Sequence, residues 1–260
     1  MSFVYLSMFT AIEFPATIDL FGKTFLLHPF MEGLGMFVGM RYYQFLKWND
    51  KESLGHTHSL LILIAAALGA LVGSHLVGSL ERPAELLAAS NIWRYIWFNN
   101  TIVGGLAGGL IAVELMKKII GKKESTGDRM VFPLIAAIAI GRIGCFYTGV
   151  FEQTYGLPTD CPLGMYLGDD YKRHPVALYE IAFLIMLFAA LQTFTRKYRY
   201  QSGVLFQLFM LSYFSFRFLL DFIKPRDVIF FHCSTIQITC LIVMIYYIYL
   251  LNTINVQKRG

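Results

Sequence analysis

The sequence predicts an all-α integral membrane protein with about seven transmembrane helices. The chain is 56% hydrophobic and only 15% charged, with a mean hydropathy of +0.55, whereas soluble domains carry about 25% charged residues. Its apolar residues also fall in long blocks, such as residues 59–78 and 131–149, and blocks of this kind can cross a bilayer. Because no internal repeat or low-complexity tract divides the chain, we expect residues 1–260 to form one polytopic membrane domain.

Seven apolar stretches account for this fold class. They cover residues 26–46, 59–79, 101–120, 130–148, 176–195, 203–222 and 232–251. Lysine and arginine, among them Lys51, Lys123 and Arg259, are more frequent in the connections on one side of these spans. Such a bias marks the cytoplasmic side, so the C-terminus is predicted in the cytoplasm and the N-terminus outside. The net charge of +5 then reflects topology, and no nucleic-acid partner is expected.

Two of the predicted outer connections are too long to be simple turns. Residues 81–100 place Trp93 and Trp97 four positions apart, which predicts an amphipathic helix lying at the level of the outer headgroups. Residues 148–175 are rich in glycine, proline, aspartate and threonine, and irregular loops of this length often carry function. We therefore expect these two segments to lie on the outer side of the membrane, where the irregular one is the type of loop that carries function.

The cysteines indicate no cofactor or metal site. Their spacing fits neither a zinc site nor an iron–sulfur cluster. Cys161 and Cys233 fall in or near predicted outer loops, where they could form a disulfide or remain free thiols.

Several ionisable side chains lie inside the predicted spans. They are His28, Glu32, Arg41, His75, Glu114, Arg142, Glu180, Arg217 and Asp221. Each costs about 2.5–3.5 kcal/mol on insertion scales, so each needs a partner or a wet cavity. Arg41 and Glu114 lie near predicted cytoplasmic ends, where long side chains reach the headgroups. Arg217 and Asp221 are four residues apart, so they share a helical face and can pair.

Arg142 and Arg217 are the most informative of these charges. Both fall in the outer half of their spans, and Gly141 and Gly144 on either side of Arg142 would leave room for a headgroup. Guanidinium groups form bidentate hydrogen bonds with phosphate. The residues therefore favour an anionic phospholipid held by two arginines from different helices. The alternative is that these charges pair with one another and only fix the register of the helices.

Four stretches together resemble the prolipoprotein diacylglyceryl transferases of bacterial inner membranes. They are GGLAGG (104–109), GRIGCFYTG (141–149), RHPVALYE (173–180) and YFSFRFLLDFIKPRD (213–227), in this order and at compatible spacing. The resemblance covers most of the chain, from about residue 20 to 245. It implies a multi-pass protein of the bacterial cytoplasmic (inner) membrane, which moves the diacylglyceryl group of phosphatidylglycerol onto the thiol of a lipobox cysteine in a prolipoprotein. It also implies release of glycerol phosphate, with no cofactor.

The resemblance also assigns residues to the site. Arg142 and Arg217 match arginines held to be functional in the family, so they would bind or polarise the phosphate. The remaining matches are Gly104 and Gly105 with the family's paired glycines, Tyr179 and Glu180 with its LYE, and Gln237 with a glutamine of its last span.

The chain departs from the family's pattern at the position that bears most directly on proton transfer. The histidine of the family's HGGL motif falls on Val103, which cannot move a proton. If that histidine assists removal of the thiol proton, this chain needs another base. The candidates are His174, Asp221, which stands where the family has glutamate, and Glu180.

Cys145 is a second departure, because it stands where the family has an asparagine. It lies three residues after Arg142, and a neighbouring positive charge favours the nucleophilic thiolate. Cys145 could therefore form a covalent intermediate. The alternative is a small buried residue that packs and does not react.

Three functions stay open at this point. The first is the family's diacylglyceryl transfer. The second is a related lipid transfer with a different acceptor or donor, for which Val103 and Cys145 are the reasons. The third is a membrane protein that binds an anionic phospholipid without catalysis.

Overall fold

The computed structural model describes residues 13–48, 56–122, 125–251 and 256–258. Within these ranges the chain is mostly helical. Three of the residues that supported the predicted orientation, Lys51, Lys123 and Arg259, lie outside the described residues.

Nine α-helices occur in the described ranges. They are α1 (Leu27–Trp48), α2 (His56–Ser79), α3 (Pro83–Ala88), α4 (Ile92–Phe98), α5 (Ile102–Ile119), α6 (Val131–Thr148), α7 (Val176–Lys197), α8 (Val204–Leu220) and α9 (Thr235–Leu251). The strands form three antiparallel pairs: β1 (Thr17–Leu20) with β2 (Lys23–Leu26), β3 (Met165–Tyr166) with β4 (Lys172–Arg173), and β5 (Tyr198–Tyr200) with β6 (Val256–Lys258).

Each of the seven predicted spans coincides with one long helix. Among the described residues, four helical segments are long and apolar enough to cross a membrane: His58–Ser79, Asp128–Phe151, Val176–Lys197 and Val204–Ile223. The segment Thr235–Leu250 is apolar but shorter, and the 18 residues of α5 include Glu114 and two lysines. A mostly helical membrane protein is therefore confirmed, while the number of crossings stays a prediction.

Glycines bring two pairs of helices into backbone contact. A Cβ on Gly73 of α2 would overlap the carbonyl oxygen of Gly104 on α5, so these two backbones touch. Likewise, a Cβ on Gly35 of α1 would lie 2.5 Å from the carbonyl oxygen of Ala137 on α6. Small residues allow close packing of helices in lipid, where no hydrophobic effect drives them together.

The best buried part of the protein lies where α6, α7, α8 and α9 meet. Leu184, Phe209, Tyr213 and Phe214 are fully buried there. Aromatic side chains fill this region because each removes a large apolar area from its surroundings and packs edge to face with its neighbours. The charged residues of the site are inserted into this packed region.

Hydrogen bonds join connections that are distant in the sequence at one end of the helix bundle. Thr235 Oγ1, at the start of α9, donates to the carbonyl of Leu80 after α2 at 2.5 Å. The amide of Leu157 donates to the carbonyl of Ile223, just beyond α8, at 2.8 Å. The amide of Thr101, before α5, donates to Ser74 O of α2 at 3.1 Å. These bonds place the ends of α2 and α8 beside the starts of α5 and α9.

At the other end, Asp128 holds the start of α8. Its carboxylate accepts from the amides of Gly203 at 2.7 Å and Phe206 at 2.9 Å. A carboxylate at this place satisfies amides that have no partner inside the helix and complements the positive end of the helix dipole. The start of α6 is thereby fixed beside the start of α8.

Residues 81–100 differ from the prediction of one amphipathic helix. The structure has two short helices there, α3 and α4, because Asn91 begins a new helix by accepting a hydrogen bond from the Arg94 amide at 3.0 Å. Trp93 and Trp97 are 83% and 65% exposed. The aromatic surface was thus predicted correctly, whereas the single continuous helix was wrong.

The loop 148–175 is an ordered structure around the β3–β4 pair. Gly149 has a φ of 61°, and a Cβ there would overlap the carbonyl oxygen of Leu167, so this turn requires glycine. Asp169 Oδ2 lies 2.6 Å from Arg173 Nη2. The hydrogen bond from Arg173 lowers the pKa of the Asp169 carboxyl below its usual value. The loop therefore presents a defined surface at the end of α6 and the start of α7.

Candidate functional site

The centre of the candidate site is a buried cluster of two arginines and one glutamate from three helices. Glu180 Oε2 lies 2.9 Å from Arg142 Nε and 2.7 Å from Arg217 Nη1. Tyr213 donates its hydroxyl hydrogen to Glu180 Oε1 at 2.6 Å. The glutamate is 1% exposed and the arginines 8% and 4%. Two guanidinium groups against one carboxylate leave a net positive charge among buried side chains, which attracts an anion.

Arg217 retains capacity for a further ligand. Among the described residues, its Nε atom is buried and has no hydrogen-bond partner. A buried donor without a partner is costly, and a phosphate oxygen would satisfy it. Both carboxylate oxygens of Glu180, in contrast, are already engaged. Glu180 is therefore placed to act as the counter-ion that orients the arginines, and it is a poor candidate for removing a proton.

A second cluster adjoins the first through Arg142. The Arg142 Nη1 atom donates to Cys145 Sγ at 3.3 Å, and the same sulfur lies 3.4 Å from His28 Nε2. On the other side of the imidazole, His28 Nδ1 lies 2.5 Å from Glu152 Oε2. Glu32, one turn after His28 on α1, places Oε1 3.3 Å from Nε2. The arrangement is an imidazole with one carboxylate at each ring nitrogen, next to a thiol and a guanidinium.

The flanking glycines of Arg142 have different surroundings. A Cβ on Gly144 would lie 2.9 Å from His28 Cδ2 and 2.9 Å from Met31 Cβ, so the absence of a side chain lets α1 approach α6. A Cβ on Gly141 would have no atom within 4 Å, so space is open there among the described residues. Gly141 thus fits the prediction of room for a headgroup, and at Gly144 that room is taken by His28 and Met31.

A third polar group lies at the end of α8 and the start of α9. Asp221 Oδ2 accepts a hydrogen bond from Ser234 Oγ at 2.5 Å, and the Ser234 amide donates to Gln237 Oε1 at 3.1 Å. Arg226 also donates to that oxygen of Gln237. The spacing allowed Asp221 to pair with Arg217, but α8 ends at Leu220 and the 3₁₀ turn that follows directs Asp221 towards Ser234. Arg217 pairs with Glu180 instead.

The remaining predicted residues lie outside these clusters. His174 Nδ1 is 3.2 Å from the Tyr179 hydroxyl, and within the described part of the chain no hydrogen bond or ion pair joins either residue to the arginines. Gly104 contacts the backbone of α2, and Gly105 lines a cavity of about 430 Å³ between α2, α5 and α8. Val103 is fully buried among apolar side chains.

Sequence reasoning missed three residues of the site. His28 was counted among the membrane charges without a role, and Glu152 and Tyr213 were not singled out. His28 and Cys145 are 117 positions apart in the chain, so no local spacing could reveal their contact. The one available signal was an unexplained histidine at the start of a predicted span.

The four described cysteines are free thiols. Cys161 and Cys233, which could have formed a disulfide, are therefore unpaired in the structure. Among the described residues no group of His, Cys, Asp and Glu is arranged to hold a metal ion.

The fold and the site together define a helical membrane protein with a buried, positively charged cluster near one end of its helices. The family model for prolipoprotein diacylglyceryl transferase matches residues 11–253. The chain therefore belongs to the prolipoprotein diacylglyceryl transferase family, and the predicted resemblance is confirmed.

Individual relatives are named for the same transfer reaction. The chain is similar to the phosphatidylglycerol–prolipoprotein diacylglyceryl transferase of Bordetella bronchiseptica, with 33% identity over 191 residues, which is 66% of this chain and 70% of that protein. It is 31% identical over 186 residues to the protein of that name from Vibrio vulnificus, covering 68% of this chain and 67% of that protein. With the protein from Cupriavidus metallidurans the identity is 36% over 129 residues, 48% of this chain and 46% of that protein.

Proposed function

We propose that this chain transfers the diacylglyceryl group of phosphatidylglycerol to the thiol of a lipobox cysteine in a prolipoprotein and releases glycerol phosphate. The observation that carries this proposal is the convergence of Arg142 and Arg217 on Glu180, with a net positive charge and an unpartnered Arg217 Nε. The relatives named for this reaction support the choice of donor and acceptor.

The arginine pair supplies the main catalytic effect. As the bond between the glyceryl carbon and the phosphate oxygen breaks, negative charge builds up on the departing glycerol phosphate. Arg142 and Arg217 are already oriented by Glu180, so they stabilise this charge without reorganising. Preorganised donors in a site that excludes water are usually the largest single contribution to catalysis. The lipid headgroup enters beside Gly141, where the structure has open space.

The acceptor peptide approaches from the outer side of the membrane. The loop 148–175 and the segment 81–100 lie next to the ends of α6 and α2, and Trp93 and Trp97 offer exposed aromatic surface. Tryptophan prefers the interface between lipid and water. These segments therefore form the surface on which a membrane-anchored acceptor is received.

The protein crosses the bacterial cytoplasmic membrane seven times, with the N-terminus outside and the C-terminus in the cytoplasm. The pairing of β5 with β6 supports this topology, because it brings the connection after α7 and the C-terminal segment to the same end of the helix bundle. Reporter fusions after residues 122 and 200 test it. Activity of a cytoplasmic reporter at both positions is expected, and activity of a periplasmic reporter at either would contradict the orientation.

An assay with purified protein tests the transfer itself. The protein is incubated with phosphatidylglycerol vesicles and a lipobox-cysteine peptide, and the mass of the peptide is measured. We expect a diacylglyceryl group on the peptide thiol with the wild type and with Arg199→Ala, an exposed arginine of β5. Arg142→Ala should lose at least about 100-fold in rate, the scale of removing one preorganised donor.

The same assay separates the other two functions. If the wild type retains phosphatidylglycerol but never modifies the peptide, the transferase proposal is wrong and a binding role is indicated. A product formed with another thiol acceptor and not with the lipobox peptide would indicate a related transferase. Val103 and Cys145, which distinguish this chain from the family's pattern, are the reason to run both controls.

A further inference from the structure

A cavity of about 430 Å³ lies between α2, α5, α8 and α9, apart from the arginine cluster. Its lining includes Lys117 near the end of α5, Gln207 near the start of α8 and Tyr247 near the end of α9. These positions lie at the end of the helix bundle that Asp128 holds, whereas Arg142 lies towards the opposite end of α6. The volume falls within the range of about 300–1,000 Å³ that is usual for ligand pockets. The cavity is therefore a candidate for a second binding site.

Two polar atoms in the wall of this cavity have no hydrogen-bond partner among the described residues. They are the Tyr247 hydroxyl and Gln207 Oε1, and both atoms are buried. The tyrosine as a whole is only 2% exposed. A buried polar atom without a partner is costly. A ligand that brings an acceptor to the tyrosine and a hydrogen-bond donor to the glutamine is therefore favoured at this end of the cavity.

The rest of the cavity is apolar and elongated. Leu106, Leu110 and Val113 of α5 line it between Gly105 and Lys117. This stretch of helix is about 18 Å long, at about 1.5 Å per residue. One leaflet contributes half of a hydrocarbon core of about 30 Å, so the cavity is about as long as one acyl chain in a leaflet. A lipid chain fits this shape when its polar end lies beside Lys117.

Glycines of the GGLAGG stretch widen this cavity. A Cβ on Gly104 would lie 2.3 Å from the carbonyl oxygen of Gly73, so close packing with α2 requires glycine at that position. The neighbouring Gly105 and Gly109 differ, because the nearest atoms to their Cβ positions are 3.6 and 3.4 Å away, in ordinary contact. Both of these glycines line the cavity. Helix packing does not require them, and the missing side chains leave room for a ligand.

The charges at the polar end favour an anion. The charged residues in the lining are Lys117, Arg129 and Glu114, with a net charge of about +1 at neutral pH. Lys117 Nζ lies 3.0 Å from Glu114 Oε1, and the lysine side chain is 10% exposed. An ammonium group has three hydrogens to donate, so Lys117 can bind a phosphate oxygen in addition to the glutamate. Lysine and arginine at this depth attract anionic lipid headgroups.

We propose that this cavity binds one anionic phospholipid from the leaflet opposite the transfer site. Its phosphate lies beside Lys117, an ester carbonyl accepts a hydrogen bond from Tyr247, and a headgroup hydroxyl donates to Gln207 Oε1. One acyl chain follows α5 towards Gly105. This lipid is not the donor of the transfer, since its polar end points away from Arg142. The binding does not depend on the transfer reaction, and only the name of the leaflet, cytoplasmic, rests on the proposed topology.

Photo-crosslinking with two phosphatidylglycerol probes tests the site and the direction of the chain. One probe carries a diazirine next to the ester and the other at the end of the acyl chain. Each is added in limiting amount to the full-length protein in detergent, and the modified residues are identified by mass spectrometry. We expect the first probe to label Val113 and the second to label Leu106. Ile111, which is 60% exposed on α5 and outside the cavity, reports non-specific labelling.

Two variants test the polar contacts. Tyr247→Phe keeps the ring and removes the hydroxyl, so we expect about 2- to 10-fold less labelling of Val113, the effect of one hydrogen bond. Lys117→Gln should lower this labelling at least as much, with Ile111 labelled as in the wild type. Tyr249→Phe is the matched control, because Tyr249 lies on the same helix and is 73% exposed. It should behave as the wild type.

Four results would overturn the inference. Absence of specific labelling would exclude the site. The reverse order of the two probes would show that the chain enters from the leaflet of the transfer site. Equal labelling by phosphatidylcholine probes would contradict the preference for an anion, and unchanged labelling in both variants would contradict the assigned contacts. A protein that never modifies the lipobox peptide would contradict only the proposed function, because the labelling experiment does not require turnover.

Discussion

At the scale of single residues, Glu180 is the side chain on which the site depends most. It is 1% exposed and contacts Arg142, Arg217 and Tyr213. Burying two guanidinium groups without a carboxylate is strongly unfavourable, since both would keep their charge. The glutamate is thus a structural requirement of the anion site as well as part of its geometry.

We predict that Glu180→Gln lowers the free energy of unfolding by about 3–5 kcal/mol, as removal of one partner from a buried ion pair does. The measurement is the thermal unfolding midpoint in detergent. Glu85→Gln is the control, because Glu85 forms a half-exposed ion pair with Arg82 at 3.0 Å, and such pairs contribute only about 0–1 kcal/mol. Equal midpoints for the two variants would show that the buried cluster is not strongly coupled.

At the scale of residues, prediction from the sequence succeeded where the chemistry of one side chain determines whether it needs a partner. An arginine in an apolar span needs a partner, and this argument identified Arg142 and Arg217 correctly as buried charges. It could not identify the partner, because contacts between α6, α7 and α8 depend on helix packing. The same holds for His28 and Glu152, which reach the site from separate segments.

At the scale of elements, close helix pairs depend on positions where a side chain cannot fit. We predict that Gly73→Ala lowers the unfolding midpoint, because its Cβ would overlap backbone atoms of α5, and overpacking costs about 1–3 kcal/mol. Gly33→Ala on α1 is the matched control. Its Cβ meets no atom within 4 Å, so alanine should leave the midpoint unchanged or raise it slightly. A lower midpoint for Gly33→Ala than for Gly73→Ala would contradict the packing explanation.

The loop 148–175 gives a prediction about pH. The Arg173 hydrogen bond lowers the pKa of Asp169, so the ion pair stabilises the loop above the unfolded pKa of about 3.9. That contribution is lost as the pH falls through the lower folded value. The protection of the amides in residues 164–174, measured relative to the intrinsic exchange rate at each pH, should therefore be unchanged from pH 7 to 5. Asp169→Asn should show lower protection across that whole range, and a loss of protection in the wild type already at pH 5 would be inconsistent with the lowered pKa.

Helices were predictable from the sequence where apolar residues form a continuous run. All seven long helices coincide with predicted spans, because a run of apolar residues has few other stable arrangements in a membrane. The division of residues 81–100 into α3 and α4 was missed, since it depends on one cap at Asn91. The β3–β4 pair was missed because two-residue strands leave almost no pattern in a sequence.

At the scale of the whole molecule, the ends of the helices are arranged in two sets. Asp128 and the β5–β6 pair belong to one end, and the bonds of Leu157 and Thr235 to the other. Alternation of ends was predictable from the alternation of apolar and polar segments. The sequence did not predict which helices lie side by side, because the hydrophobic pattern of one helix does not identify its neighbours. The charged cluster exists only as a result of that arrangement.

The position of Arg142 between the two clusters has a consequence for the electrostatics of both. One side chain contacts both Glu180, beside the phosphate position, and Cys145, beside the imidazole. The two clusters therefore share one positive charge, and an anion bound beside Glu180 changes the electrostatic field at the Cys145–His28 contact. Through this one side chain, occupation of the anion site is felt at the contact between α1 and α6.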